Sequence, residues 1–365
     1  MTIVQISAGS QRSVALDGKG AAWGWGAFKT AYPGLQDALP SALCSTDKSE
    51  VGHRRYAQPY AQMLNPGTRF HLIADGSTHI LGACDNGALL ACRPVIAPDH
   101  GAAHQAVQAV PPGIRQLTTL QTVSLAVLKD GAVWSWGFNH LGQLGRPALP
   151  AQNSAAVLDG LPAIDRLACG SAHALALDQS GGVWSWGANQ AGQLGHGNLK
   201  SSSRPAKVAL PEPVTDIAAG DTHSMALDAA GQLWAWGANN HGQTGSDEGA
   251  YFTRPIRIHT DFPVRQIDGG LFYTAALSEQ GEVFAWGWNG LGQIGLRQPH
   301  SSPQAVRIAG LPPVTRLAAG AGHVLACDGS TVFAWGDNRS AACGRAGLPG
   351  SGDPESESHP SGLRA

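Results

Sequence analysis

Short stretches of alternating apolar and polar residues recur along the chain, and Gly, Asn and Pro separate them. One such unit begins with the small and apolar run Val214–Gly220, continues with His223–Leu227, turns at Gly231 and resumes at Leu233–Trp236. A fourth stretch carries a Pro-x-x-Val element, as in Pro205–Val208. Short stretches with this punctuation are typical of β-strands, and no stretch of helical length shows a helical period. The pattern predicts an all-β protein built from units of four short strands.

The unit repeats at a nearly constant period. The string Val133–Gly145 returns at Val183–Gly195, Leu233–Gly245 and Val283–Gly295, with a weaker copy at Val332–Gly344. Upstream of each string, a marker position that is usually Gly ends the first stretch of the unit. The seven marker positions are 9, 76, 120, 170, 220, 270 and 320, with Leu in place of Gly at 120. The successive intervals are 67, 44, 50, 50, 50 and 50 residues, which is the signature of a repeat architecture.

Seven four-stranded units of about 50 residues predict a single seven-bladed β-propeller over residues 1–344. The innermost strand of each blade crowds the axis in this fold, which explains the small residues before each marker. A linear solenoid is the competing architecture, but it needs end repeats of different character. The long first interval predicts an insertion within residues 27–70, and residues 345–365 are expected to form a flexible tail. The last unit lacks a Pro-x-x-Val strand after Gly344, so its final strand is either missing or supplied by the tail.

The repeated residues resemble the regulator of chromosome condensation repeat. Its pattern is Gly-x-x-His-(apolar)-x-Ala-Leu and then Gly-x-Val-(Trp/Phe)-x-Trp-Gly-x-Asn-x-x-Gly-Gln-Leu-Gly. The resemblance covers roughly residues 3–344, with four consecutive near-complete copies, and the second repeat departs from it with Leu90-Ala91-Cys92 in place of Trp-x-Trp. The resemblance implies a seven-bladed propeller but not one function, since the family includes a nucleotide exchange factor for a small GTPase, a UV-B photoreceptor and a β-lactamase inhibitor. The photoreceptor's Gly-Trp-Arg-His-Thr motif is replaced here, for example by Gly-Ser-Ala-His at Gly170–His173. We therefore expect the tryptophans to be structural.

Composition narrows the classes of partner. Lys and Arg number 24 against 26 Asp and Glu, a net charge of −2, whereas a nucleic-acid binder needs a concentrated positive surface. No run of about 18 apolar residues occurs, and the N-terminus lacks a basic-then-apolar layout. These features predict no nucleic acid, no membrane span and a cytoplasmic location. The six cysteines contain no C-x-x-C and are expected to be reduced, with Cys169 and Cys327 as small core residues.

A histidine recurs three residues after the marker, at His79, His173, His223 and His323. These residues are either ligands around an axis or scaffold side chains that bond buried backbone, and their recurrence favours the scaffold. The Gly-Gln-Leu-Gly string lacks the Lys-Ser/Thr of a phosphate-binding loop and is interpreted as a turn. No nucleophile elbow, carboxylate pair or Cys/His dyad stands out. We predict no catalytic residue, no metal and no cofactor.

Two regions escape the constraints of the repeat and are predicted to carry function. The insertion concentrates Tyr and Arg, which are enriched in binding hot spots. Its candidate partner-binding residues are Asp47, Lys48, Glu50, His53, Arg54, Arg55, Tyr56 and Tyr60. The loops after the markers should converge at one mouth of the central channel. The candidate contacts there are Arg12, His79, Asp221, His223, Phe272 and Tyr273.

The leading hypothesis is a monomeric, non-catalytic scaffold for a protein partner, with regulation of a small GTPase or of an enzyme as its finer form. The first alternative is an enzyme or small-molecule binder that uses the channel mouth. The second alternative is a secreted bacterial effector that mimics a eukaryotic exchange factor.

Overall fold

The chain folds into seven antiparallel β-sheets. The structure, a computed structural model, describes residues 2–29, 55–76, 79–92, 110–120, 123–147, 154–296, 300–344 and 361–364. All regular elements in these ranges are strands, and none of the described residues belongs to a helix that could cross a membrane. Each sheet corresponds to one unit of the sequence, so the predicted seven-bladed β-propeller is confirmed.

The blades are numbered in chain order, and their strands run in sequence across each sheet. Blades 1 to 3 contain β1 (Ile3–Ala8), β2 (Arg12–Asp17), β3 (Ala22–Lys29), β4 (Arg55–Leu64); β5 (Phe70–Asp75), β6 (Ile80–Cys84), β7 (Leu89–Cys92); β8 (Ile114–Leu120), β9 (Val123–Leu128), β10 (Val133–Gly137), β11 (Ala156–Val157). Blades 4 and 5 contain β12 (Ile164–Cys169), β13 (His173–Asp178), β14 (Val183–Gly187), β15 (Ser202–Lys207); β16 (Val214–Ala219), β17 (His223–Asp228), β18 (Leu233–Ala238), β19 (Tyr251–Ile258). Blades 6 and 7 contain β20 (Val264–Gly269), β21 (Tyr273–Ser278), β22 (Val283–Trp288), β23 (Ser301–Arg307); β24 (Arg316–Ala319), β25 (His323–Cys327), β26 (Thr331–Gly336), β27 (Ser361–Arg364).

Each blade is an antiparallel meander whose first strand lines the central channel. In blade 5, for example, Ala218 pairs with Met225, Met225 with Ala235 and Ala235 with Ile256. Because the strand direction alternates, the loops after the first and third strands leave the sheet at the same edge. We call the surface formed by these loops, which include the marker loops, the marker face. The turns after second strands and the connections between blades form the opposite face.

The hydrophobic core lies between neighbouring blades. The indole of Trp236 is fully buried and packs against Leu175 and Val183 of blade 4 and Val214 of its own blade. Its Nε1 donates to the carbonyl oxygen of Gln193 at 2.8 Å, which ties blade 5 to the Gly-Gln-Leu-Gly turn of blade 4. Replacing a buried Trp by Ala typically costs about 3–5 kcal/mol. The buried tryptophans, among them Trp25, Trp186 and Trp286, are therefore structural wedges, as the sequence predicts.

The sequence left open whether the last blade has a fourth strand, and the structure shows that it has one. Its fourth strand is β27, in which Arg364 pairs with Thr331 and Ser361 with Ala334. The expected flexible tail is therefore wrong for these four residues, since β26 offers a row of backbone groups that β27 satisfies. Blade 7 meets blade 1 through contacts such as the bond from Trp25 Nε1 to Ala342 O at 2.8 Å.

Candidate functional site

On the marker face, the glycine at the marker position is in contact with the side chain of the residue three places later. A Cβ atom added to Gly170 would lie 2.0 Å from Cε1 of His173, and one added to Gly270 would lie 1.9 Å from Cε1 of Tyr273. The ring of the later residue therefore lies directly against the Cα of the marker. Glycine is required there by close approach of the ring.

Four histidine rings reach across to a hydroxyl group of the next blade, and the fourth, His79, is described below. The Nε2 atom of His173 lies 2.9 Å from Ser224 Oγ, and Nε2 of His223 lies 3.0 Å from Thr274 Oγ1. Nε2 of His323 lies 2.9 Å from Ser13 Oγ and closes the ring between blades 7 and 1. We call this contact the clasp. The sequence predicted a backbone partner for these histidines, whereas the partner is a hydroxyl group of the neighbouring blade.

The clasp fixes the tautomer of the histidine. Ser224 Oγ donates its hydrogen to the carbonyl oxygen of Gln193 at 2.8 Å, so the hydrogen between His173 and Ser224 must come from His173 Nε2. Burial lowers the pKa of His173 to about 3, and burial, followed by the charge of His173, lowers the pKa of His223 to about 3. These rings are neutral at physiological pH and are unsuited to act as general bases near neutrality.

The other predicted mouth contacts that stand three residues after a marker also lie between blades. His79 bonds Ser124 Oγ at 2.8 Å, and Arg12 Nε donates to Asp75 Oδ1 at 2.6 Å. The Tyr273 hydroxyl lies 2.7 Å from the carbonyl oxygen of His323 in blade 7. The structure therefore places Arg12, His79, His223 and Tyr273 in the interfaces between blades.

The two other predicted mouth contacts remain half-buried on the marker face. Asp221 belongs to the marker loop of blade 5, where its backbone N–H donates to Gly270 O at 3.1 Å. Burial raises the pKa of its carboxyl group. Phe272 belongs to the marker loop of blade 6, and its ring centroid lies 5.3 Å from that of His241 and 6.0 Å from that of Trp288. We call His241, Phe272 and Trp288 the aromatic cluster.

Trp288 departs from the repeat at its position. Blades 4 and 5 have the buried Ala188 and Ala238 there, whereas the Trp288 indole is half-buried and lies against Gly290. The T-shaped pair of Trp288 and Phe272, with an interplanar angle of 82°, is a favourable geometry for two aromatic rings. Sequence reasoning included neither Trp288 nor His241 among the candidate contacts. The signal was the Ala-to-Trp difference between aligned repeats.

Most of the predicted insertion lies outside the described residues, including Asp47, Lys48, Glu50, His53 and Arg54. The backbone of Arg55, Tyr56 and Tyr60 belongs to β4, the fourth strand of blade 1. Partner binding by these eight residues stays a prediction.

The channel holds a polar cavity of about 520 Å³ that all seven inner strands line. Burial raises the pKa of Asp75 to about 7 against the effect of Arg12, and burial raises the pKa of Asp268 to about 7. Asp268 accepts hydrogen bonds from the backbone N–H of Gly269 and Ala319, each at 2.8 Å. In the described ranges, no group of three or more His, Cys, Asp or Glu side chains is placed to hold a metal ion.

Among the cysteines whose side chains the structure describes, Cys84, Cys169, Cys327 and Cys343 form no disulfide. Cys327 is fully buried, while Cys169 is half-buried at the cavity wall. Burial raises the pKa of Cys169 to about 12, so its thiol is protonated near neutral pH.

The repeated four-stranded units, the central channel and the clasps define a seven-bladed β-propeller of the repeat-built class. Residues 70–361 match the family described as the RCC1-like domain, and the chain belongs to this family. No curated protein sequence matches the chain.

Solved structures share the fold. Human WBSCR16 is 22% identical with a TM-score of 0.73, over 88% of this chain and 89% of that chain. Prp20p from Saccharomyces cerevisiae is 20% identical with a TM-score of 0.62, over 100% of this chain and 77% of that chain. Prp20p has been characterised for its binding to Gsp1p and histones. Yeast RCC1 (Prp20) bound to Kap60 gives the same identity and TM-score, over 100% of this chain and 75% of that chain.

Proposed function

We propose that the protein is a non-catalytic, cytoplasmic scaffold that presents its marker face to a protein partner. In its finer form, the proposal is that this binding regulates a small GTPase or an enzyme. Membership of the RCC1-like family supports a protein partner, because Prp20p of the same fold is seen bound to Kap60. The clasp histidines favour binding over catalysis, since each Nε2 is used by the next blade and the rings are neutral.

The aromatic cluster is the observation that carries the proposal. Phe272 and Trp288 are half-buried on the marker face, although the repeat provides a small buried Ala at the second of these positions. Aromatic side chains held on a rigid frame provide a large contact area at low entropic cost, and Trp is enriched in interface hot spots. The sheets and clasps beneath the cluster supply that frame.

The test is affinity capture from a lysate of the source cells with the tagged full chain and two variants. Trp288→Ala gives blade 6 the residue that blades 4 and 5 already have, so the variant is expected to fold. Phe138→Ala makes the same change in blade 3, where Phe138 is 55% exposed, and serves as the control. We expect the affinity for the captured partner to fall at least tenfold, about 1.4 kcal/mol, in Trp288→Ala. The control should stay within about twofold of the wild type.

Equal losses in the two variants would show that the contact is not located at the aromatic cluster, and unchanged binding in both would refute the proposal. The finer form is tested on the captured partner itself. If the partner is a small GTPase, release of a fluorescent GDP should be faster with wild-type protein than with Trp288→Ala. If the partner is an enzyme, its activity should respond to wild-type protein and not to Trp288→Ala.

A further inference from the structure

The outer strands of blades 4 and 5 carry positive charge without any negative charge. Strand β15 contains Arg204 and Lys207, strand β19 contains Arg254 and Arg257, and neither strand contains Asp or Glu. The two pairs stand at the same repeat positions, 50 residues apart, and all four side chains are exposed. This local charge contrasts with the net charge of −2 for the whole chain.

Blade 6 shows how the fold neutralises one of these positions. Arg307, which corresponds to Arg257 and Lys207, forms an ion pair with Glu282, with Nη2 and Oε1 2.7 Å apart. The residue that corresponds to Glu282 is the neutral Gln232 in blade 5, where its side chain accepts a hydrogen bond from Arg257 Nε. In blade 4 it is Gly182. Blades 4 and 5 therefore have the cation of this pair, Lys207 or Arg257, but lack the carboxylate that neutralises it in blade 6.

The outer strand of blade 5 contacts the loop that precedes β15 of blade 4. The backbone N–H of Gly197, in the loop before β15, donates to Thr253 O of β19 at 2.7 Å. The guanidinium group of Arg254 lies against Gly197, since a Cβ added there would come within 2.6 Å of Arg254 Nη2. The same loop continues to Leu199, which is 43% exposed, and to the exposed Lys200.

We define the basic strip as Lys200, Arg204, Lys207, Arg254 and Arg257. Within the described part of the chain, no residue of the strip forms an ion pair with a carboxylate. A surface region of one sign of charge attracts oppositely charged partners and raises their association rate. Arg also forms two parallel hydrogen bonds with a carboxylate, which suits it to bind acidic side chains.

The backbone of these strands limits how a partner can bind. Pro205 in β15 and Pro255 in β19 lack the N–H group that an added strand would need. Addition of a partner strand to the sheet is therefore disfavoured, and the side chains of the strip are the groups left to contact a partner segment. Exposed charges at a sheet edge also protect against aggregation, and this role alone would leave the strip without a ligand.

We propose that the basic strip binds an extended acidic segment of a partner protein. A protein segment fits better than a nucleic acid for two reasons. Leu199, which precedes Lys200 of the strip and is 43% exposed, and Tyr251 at the start of β19, which is 49% exposed, offer apolar contacts. The strip holds five cations on a chain of net charge −2, whereas nucleic-acid binding typically neutralises about 6–10 phosphates. The proposal concerns a different surface from the marker face and does not depend on the function proposed above.

The test uses the full chain and a fluorescein-labelled peptide of about 12 residues that alternates Glu with Ser. Anisotropy titrations at about 50 mM and about 200 mM NaCl give the affinity and its salt dependence. The test variant is Arg204→Gln with Lys207→Gln and Arg254→Gln. The control variant, Lys19→Gln with Arg69→Gln and Lys129→Gln, removes three exposed positive charges at the opposite face. A duplex DNA of similar charge is titrated in parallel.

We expect the test variant to lose at least tenfold in affinity for the peptide, and the control to stay within about twofold of the wild type. The affinity of the wild type should also fall between the two salt concentrations. Equal losses in both variants would show nonspecific charge attraction and overturn the proposal. Absence of peptide binding at low salt would leave edge protection as the role of the strip. Tighter binding of DNA than of peptide, lost in the test variant, would reject the assignment to a protein segment.

Discussion

The interface between blades 1 and 2 and the interface between blades 4 and 5 are joined by different polar contacts at the same repeat position. In the second interface, the neutral ring of His173 donates to a hydroxyl group of the next blade. In the first interface, the equivalent residue Arg12 forms an ion pair with Asp75, and the two side chains are 6% and 0% exposed. Both interfaces therefore contain a polar group that crosses between the blades, but the chemical type of this group differs.

In each interface, the residue at the ring position of one blade is matched by the type of residue that faces it in the next blade. The residue that follows the ring position is Ser or Thr wherever the preceding blade has a histidine, as at Ser13, Ser124, Ser224 and Thr274. It is Ile80 opposite Arg12, Val324 opposite Tyr273 and Ala174 opposite Val123. A hydroxyl group appears only where the neighbouring ring can donate to it. The interfaces therefore differ in chemistry, and variants can measure what each contributes to stability.

The largest expected effect is at the ion pair. Arg12→Ala removes one partner of a buried pair together with the bond from Arg12 Nη2 to Gly76 O at 2.8 Å. Breaking such a pair typically costs about 3–5 kcal/mol, which urea unfolding would measure. The control is Arg115→Ala, whose ion pair with Asp165 is equally short but 37% and 43% exposed. It should cost about 1 kcal/mol. Equal losses in the two variants would contradict the distinction between buried and exposed pairs.

The second effect is a pH dependence at the clasp. The pKa of folded His173, about 3, is below the ordinary 6.5, so below pH 6.5 only the unfolded chain takes up a proton at this residue. Stability should therefore fall with falling pH by about 1.4 kcal/mol per pH unit for this residue, about 2 kcal/mol between pH 6.5 and pH 5. His173→Gln should remove this slope, as urea unfolding at the two pH values would show.

The comparison between variants is needed because other groups titrate in the same range. Asp75 and Asp268, whose pKa values are raised to about 7, act in the opposite direction as the pH falls. The exposed His259 provides the control, and His259→Gln should keep the wild-type slope. A His173→Gln slope equal to that of the wild type would mean that the ring titrates normally in the folded protein.

The smallest of the three effects is at the interface between blades 6 and 7, where a tyrosine replaces the histidine. Tyr273→Phe keeps the buried ring and removes only the hydroxyl group, which lies 2.9 Å from Gly320 O and 2.7 Å from His323 O. Loss of a hydrogen bond of this kind costs about 1–2 kcal/mol, measurable as a shift of the urea midpoint. The exposed Tyr251→Phe should change stability by less than about 0.5 kcal/mol. A Tyr273→Phe shift as small as this would mean that the hydroxyl group contributes nothing to joining the blades.

The sequence predicted the blades well because the constraints on them are local and repeated. Alternation, turn residues and the 50-residue period were sufficient to place the strands of blades 4 to 6 and to interpret the tryptophans as wedges. The strand β27 was harder to predict, because it is separated from β26 by 24 residues and carries no Pro-x-x-Val element. Its pairing depends on the free edge of β26, which no pattern within β27 reveals.

The candidate site was predicted only in part. Phe272 was found because the marker loops vary between repeats, but its neighbours His241 and Trp288 come from a different loop and, for His241, a different blade. Contacts between loops depend on how blades pack, and a strand pattern does not contain this information. The same limit explains the histidines, whose hydroxyl partners lie in the next repeat.

The join between blades 7 and 1 has a consequence for the topology of the chain. The six sheets with four described strands each use one unbroken stretch of sequence, and the bond from His323 to Ser13 at the join repeats the bond found inside the chain. Among the described strands, none is exchanged across this join, so no blade differs from the others in how its strands are connected. We expect a circular permutant that links blade 7 to blade 1 and opens the chain between blades 4 and 5 to keep the same strand pairing in every blade.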